Sequence, residues 1–271
     1  IAGLAVSTVL IVLAGAMIIW YIASLIRWFR TDRAVAGVVR SVRETARAVG
    51  RHRRRVALTS VPERPDGAVD LPAHRSGHLA EVDGKAILEA CRRIDGMAVI
   101  EGPAGVPVVA GEPIGWVASR DPRLELHPEG GVADTVDVSR TRELGKSLEY
   151  GLSALVDIAI MALSPAVNDP NSAVEVIEEM GFLFAELAGT PLGPFVQPDP
   201  DTSPRVVVNS RTFGELVEIA TTQIVLNGLS DPNVHRALRR LAADLDVLDL
   251  TEHDRTYVDA FAAKLDAAPD A

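Results

Sequence analysis

Residues 1–26, IAGLAVSTVLIVLAGAMIIWYIASLI, contain no charged side chain, and no other feature restricts the fold of this chain as much. About 20 consecutive apolar residues suffice for an α-helix to cross the hydrocarbon of a bilayer. A secretory signal carries its basic residues ahead of a short apolar core. Here the order is reversed, with Arg27 and further arginines behind a long apolar run. Trp20, Tyr21 and Trp28 lie toward the arginine end, where aromatic rings suit a lipid–water interface. The sequence therefore predicts a transmembrane helix over residues 1–28. Ile1 already lies inside the apolar stretch, so this span is expected to be the last of several.

Charge divides the remainder of the chain in two. Arg27, Arg30, Arg33, Arg40, Arg43, Arg47, Arg51, Arg53, Arg54 and Arg55 face only Asp32 and Glu44 within residues 27–55. Of 27 Lys and Arg and 37 Asp and Glu in the chain, 17 basic and 35 acidic residues remain outside that segment. Two parts of such opposite charge are expected to face different surroundings. Arginines beside a span favour the cytoplasmic face, which places the rest of the chain in the cytosol. Residues 29–60 read as a basic juxtamembrane helix with an apolar stripe of Val35, Val38, Val39, Val42, Ala46 and Val49. Arg27, Arg30, Arg33 and Arg40 suit anionic lipid headgroups, each contributing about 1 kcal/mol near the surface. A nucleic-acid partner competes for any such run; the adjacent span favours the bilayer. Cys91 stands alone, which excludes an internal disulfide and a cysteine-rich zinc site within one chain.

A Pro- and Gly-rich linker is expected over residues 61–76, then a small β-rich unit over residues 77–140. The segments GHLAEVD, GMAVIEG and GVPVVAGEPIGWVA, and more weakly TVDVSR, have strand character and are mostly bounded by Gly and Pro turns. GKAILEACRRI reads as a short helix between the first two. No lysine sits at a hairpin tip for a carried cofactor, and no phosphate-binding loop is present. The unit reads as an interaction or support module.

Residues 141–271 read as mainly helical. ELGKSLEYGLSALVDIAIMAL is apolar around most of its circumference, which predicts burial, with Asp157 inside the run. A buried carboxylate must be paired, hydrogen-bonded or protonated. ALSPAVNDPNSA then ends one helix and starts another. Asp169 is placed to cap the second helix and Pro170 to take its first position; Asp231 and Pro232 repeat the device. Capping accounts for Asp169 and leaves Asp157 and Asn168 open. Asp157, Ser164, Asn168 and Asp169, with Arg140 as a cationic partner, thus form a candidate ligand or ion site, weighed against a purely internal capping network. Arg142 is a second possible partner. RVVVNS predicts a strand, and the loop TPLGPFVQPDPDTSP a surface excursion. Three further helices with packed-bundle spacing close the chain. The six histidines show no metal-ligand spacing, and His235 with Arg239 reads as a solvated pair. No catalytic motif names a nucleophile or a base, and no cofactor is implied.

The run EYGLSALVDIAIMALSPAVNDPNSA resembles the signature of a bacterial family of predicted membrane proteins, domain of unknown function family 2254. The matching positions are Arg140 and Thr141, Glu149 to Gly151, Leu155 to Ala159, Ala162 to Pro165, Asn168 to Pro170, and Ser172 with Ala173. Tyr150 stands where the pattern has phenylalanine, and Ser172 where it has threonine. SGHLAEVD and AGEPIGWV resemble the family's glycine-rich β-region. The resemblance implies several N-terminal helices before a cytosolic domain, in a multi-pass protein of the bacterial inner membrane. It names no activity. The fold class expected is α+β: a transmembrane helix, a small β-rich unit and a helical bundle. The first functional expectation is a transport-related or channel-like protein, its cytosolic domain assembling copies as a homo-oligomer or gating a pore. The second is a membrane-tethered ligand-binding or sensor module with its site at the NDP junction, and a membrane-bound enzyme ranks third.

Overall fold

The computed structural model describes residues 13–20, 31–53, 61–80, 84–121, 132–141, 147–197 and 205–267. Residues 13–20 are helical, with Leu13, Met17, Ile18, Ile19 and Trp20 exposed. Among the described residues no helix is long and apolar enough to cross a membrane. Residues 1–12 and 21–28 of the expected span lie outside them.

The basic helix is α1, Thr31–Arg53. Its stripe is not free to meet lipid: Val35, Val39, Val42 and Ala46 are buried in the main hydrophobic core. Val38 is partly buried against the same core. Arg43 Nε donates to both carboxylate oxygens of Glu186 at 2.8 Å. Arg40 and Arg47 face outward.

The β-rich unit is built from two small sheets. β1 (Val69–Pro72) lies within the stretch expected to be a linker, because Val69 to Leu71 extend the sheet edge antiparallel to β5 (Pro113–Ser119). β3 (Gly96–Ile100) pairs with the other edge of β5. β2 (Gly77–Leu79), β4 (Pro107–Val108) and β6 (Val138–Ser139) form the second sheet, with β2 in the middle. Helix α2 (Gly84–Arg93) buries Ile87, Leu88, Ala90 and Cys91 in the core shared by both sheets.

The first sheet is completed by residues far along the chain. β8 (Val206–Val208) runs parallel to β3, in the register Ala98 to Val206, Val99 to Val207 and Ile100 to Val208. β7 (Phe195–Val196) adds an antiparallel edge, so the proline-rich excursion contributes a strand. Successive side chains of a strand point to opposite faces. Val206 and Val208 therefore join the Ala98 and Ile100 side, while Val207 joins Val99 and Trp116 on the other. Burial on both faces explains three consecutive valines where a half-exposed strand would alternate.

The remaining helices are α3 (Leu148–Leu163), α4 (Pro170–Leu187), α5 (Phe213–Gly228), α6 (Pro232–Asp246) and α7 (Glu252–Asp266). α3 is central and packs against α1, α4 and α5; α4 packs on α6, and α5 on α7. Phe184 and Phe213 meet edge to face at 5.7 Å between ring centroids, a geometry that the aromatic quadrupole favours. The fold is α+β, as expected.

Candidate functional site

The junction between α3 and α4 is a closed set of local hydrogen bonds. Ser164 leaves the helix with extended backbone, and its Oγ donates to the Met161 carbonyl at 2.7 Å. The backbone N–H of Asn168 donates to the Ser164 carbonyl, and that of Asp169 to the Ala162 carbonyl, both at 2.8 Å. These bonds satisfy carbonyls that a helix end leaves without partners. Asn168 sits at φ 49°, in the left-handed region where asparagine is among the few side chains tolerated. Its identity is thus set by the backbone turn.

Asp169 is the N-cap of α4, and Pro170 opens the helix. Oδ1 accepts from the Ser172 backbone N–H at 3.3 Å, and Oδ2 from the Ser172 hydroxyl at 2.6 Å. The Ser172 hydroxyl, helped by the backbone N–H groups of Ser172 and Asn171, holds the Asp169 carboxyl below the usual carboxylate range. The expected acid cap is present in full.

The rest of the candidate set does not gather there. Asp157 is exposed, which corrects the expectation of a carboxylate buried in an apolar helix. Leu152, Leu155, Val156 and Ala159 take the inward positions around it, and Asp157 falls on the strip left to solvent. It lies two turns before Ser164, about 10 Å along the axis at 1.5 Å per residue. Arg140 is also exposed, just after β6, and Arg142 lies outside the described residues. The expectation of a solvated pair holds for Arg239, which is exposed, and is corrected for His235. His235 is buried, and its Nε2 accepts from Arg239 Nε at 3.1 Å. Arg239 in turn reaches Asp266 at 3.1 Å. Among the described residues no group of three or more His, Cys, Asp or Glu could hold a metal ion.

A second polar cluster, not singled out from the sequence, joins the β-rich unit to the helices. A notch of about 60 Å³ is lined by Thr45, Ala104, Ser147, Glu149, Ser210 and Arg211 among others. Ser147 caps α3 by accepting from the Tyr150 N–H, and its Oγ contacts the Ala104 carbonyl of the β-rich unit at 3.3 Å. Arg211 Nε donates to Glu149 at 2.8 Å and Arg211 Nη1 to Glu215 at 3.4 Å. Glu215 and Thr212 form a reciprocal capping box at the start of α5. The spacing Thr212-x-x-Glu215 is a legible sequence signal for that box. Glu149 belongs to the signature run, but nothing local pairs it with Arg211, 62 residues away. The cluster clamps two helix starts together.

Comparison with known proteins adds a family. The sequence model of the family described as "Predicted membrane protein (DUF2254)" matches residues 2–244. Uncharacterized proteins of Mycobacterium bovis and Mycobacterium tuberculosis are 30% identical to the chain over 187 residues, covering 66% of this chain and 35% of theirs. The chain thus spans about a third of the length of these curated relatives. No solved structure matches.

Proposed function

Because the chain belongs to the DUF2254 family of predicted membrane proteins, we propose that its folded part is the assembly and gating domain of a channel-like, transport-related protein. In this reading the domain lies on the cytoplasmic side of the bacterial inner membrane. The observation that carries the proposal is the seating of α1. This helix comes shortly after the charge-free segment in sequence, and its stripe is built into the domain core rather than left as a loose tether.

Fully burying one valine contributes about 1.5–3 kcal/mol. Val35, Val39 and Val42 together therefore resist any sliding of α1 over α3 and α4. A displacement of the membrane segment is passed to the domain, and a domain rearrangement is passed back. The outward arginines Arg40 and Arg47, together with Arg27, Arg30 and Arg33, are assigned to anionic headgroups. The junction at Asp169 serves as the rigid corner between α3 and α4, its hydrogen bonds closed within the junction itself.

The test is the mass of the protein purified in detergent, by light scattering corrected for bound detergent, and then solute flux in liposomes. A discrete oligomer whose flux changes when the α1 seat is altered by Gly151→Val supports the reading. A monomer that passes no solute overturns it.

A further inference from the structure

The outer face of α4 and α6 is a groove of about 560 Å³ with an apolar floor and charged edges. Small residues, Gly181 and Ala185 on α4 and Ala237 on α6, keep the floor low. Phe182 and Val247 stand at its sides, 61% and 82% exposed. Glu178, Arg240 and Asp244 edge the same groove. Solvent exposure of an aromatic ring beside an open apolar trough is costly for an isolated surface, and such patches mark interaction sites.

We propose that this groove is a two-fold interface at which a second copy of the chain docks, the Phe182 ring of each copy seated against Gly181, Ala185 and Ala237 of the other. The inference rests on the reading of the domain as an assembly module. The charges select the occupant. A membrane surface is a poor partner, because anionic headgroups repel Glu178 and Asp244. A second copy brings what this edge needs: each face carries both signs, so Arg240 of one copy can meet Glu178 or Asp244 of the other. A two-fold interface places the same patch on both subunits and requires this self-complementarity.

Size is consistent with the same occupant. Helices of 18 and 15 residues are about 27 and 22 Å long and pack about 9 Å apart. Together they present a face on the order of 500 Å² per copy, and a pair buries on the order of 1,000 Å², where specific interfaces begin. Central aromatic anchors supply most of the energy in such interfaces, which assigns the leading role to Phe182.

The experiment measures the mass of the detergent-purified protein and of three variants by light scattering. The wild type is expected to hold an even number of chains. Phe182→Glu and Arg240→Glu are each expected to halve that mass. Adding Glu178→Arg to Arg240→Glu reverses both signs and is expected to restore it. Full mass in Phe182→Glu would overturn the groove as the interface while leaving assembly itself standing. A monomeric wild type would overturn the pairing, and only a monomer that also passes no solute would overturn the functional reading with it. A wild-type groove filled by a co-purifying apolar molecule, detected by native mass spectrometry on a monomer, would overturn the pairing.

Discussion

The Val42 side chain occupies the space that a Cβ on Gly151 would need. Helices α1 and α3 cross at this point, and the glycine lets the basic helix lie down on the central one. Adding a methyl group there forces α1 away. Overpacking a tight contact costs typically about 1–3 kcal/mol, against a gain of about 1 kcal/mol for replacing glycine inside a helix. Gly151→Ala is therefore expected to lose about 1 kcal/mol net, and the bulkier Gly151→Val about 2 kcal/mol or more. Urea unfolding of the detergent-purified protein measures both. A stabilised Gly151→Ala variant would mean that α1 is only loosely seated.

The contact also marks how far local sequence reading reaches. The stripe Val35, Val39, Val42 and Ala46 is legible from its helical period, and the caps Asp169 and Asp231 from their Asp-Pro pairs. The surface that the stripe touches is not legible, because an amphipathic period is the same for a helix lying on lipid and one lying on protein. Asp157 shows the reverse difficulty. Its neighbours are apolar almost all round, so the narrow strip that faces solvent leaves no periodic trace. The pairing of Val206–Val208 with Gly96–Ile100, and of Arg211 with Glu149, depends on chain segments far apart, and no window of sequence contains them.

Asp169 ties stability to pH. Its carboxyl is held below the usual range by the Ser172 hydroxyl and nearby backbone N–H groups. The folded state therefore binds the proton less readily than the unfolded chain, whose aspartates titrate near ~3.9. The contribution is present above that value and is lost as pH falls through the lower folded value. Asp169→Ala should cost about 0.5–2 kcal/mol at neutral pH, and its difference from the wild type should shrink in acid. Thermal unfolding over an acid series checks this. Asp157→Asn, at an exposed position, should change stability by less than about 0.5 kcal/mol. A large loss there would restore Asp157 to the junction.

The Arg211 clamp should be cooperative. Its guanidinium reaches Glu149 at 2.8 Å and Glu215 at 3.4 Å, with side chains 33%, 17% and 29% exposed. Such a setting lies between a surface pair of about 0–1 kcal/mol and a buried one whose breakage costs about 3–5 kcal/mol. Arg211→Met and Glu149→Gln are each expected to lose about 1–2 kcal/mol, and the double variant clearly less than the sum. Strict additivity in denaturant unfolding would mean that the two side chains act independently.

Cys91 reports on the β-rich unit. It is wholly buried in α2, and burial pushes its thiol from an ordinary 9.0 up to about 12. Because the thiolate is the reactive form, a thiol reagent at neutral pH should modify Cys91 only when α2 lifts from the sheets. Its labelling rate should then track the opening of that core and rise in step with unfolding by urea. The same shift predicts alkaline weakening. Between 9.0 and about 12 the unfolded chain releases the proton while the folded one keeps it, so stability present below 9.0 is lost as pH rises through that window. Cys91→Ala should lower stability at neutral pH by leaving a small cavity, and should flatten the alkaline decline relative to the wild type. Fast labelling in native buffer, with α3–α7 still protected from hydrogen exchange, would instead show that the β-rich unit opens by itself. The β8 strand would then be the seam along which the two halves part.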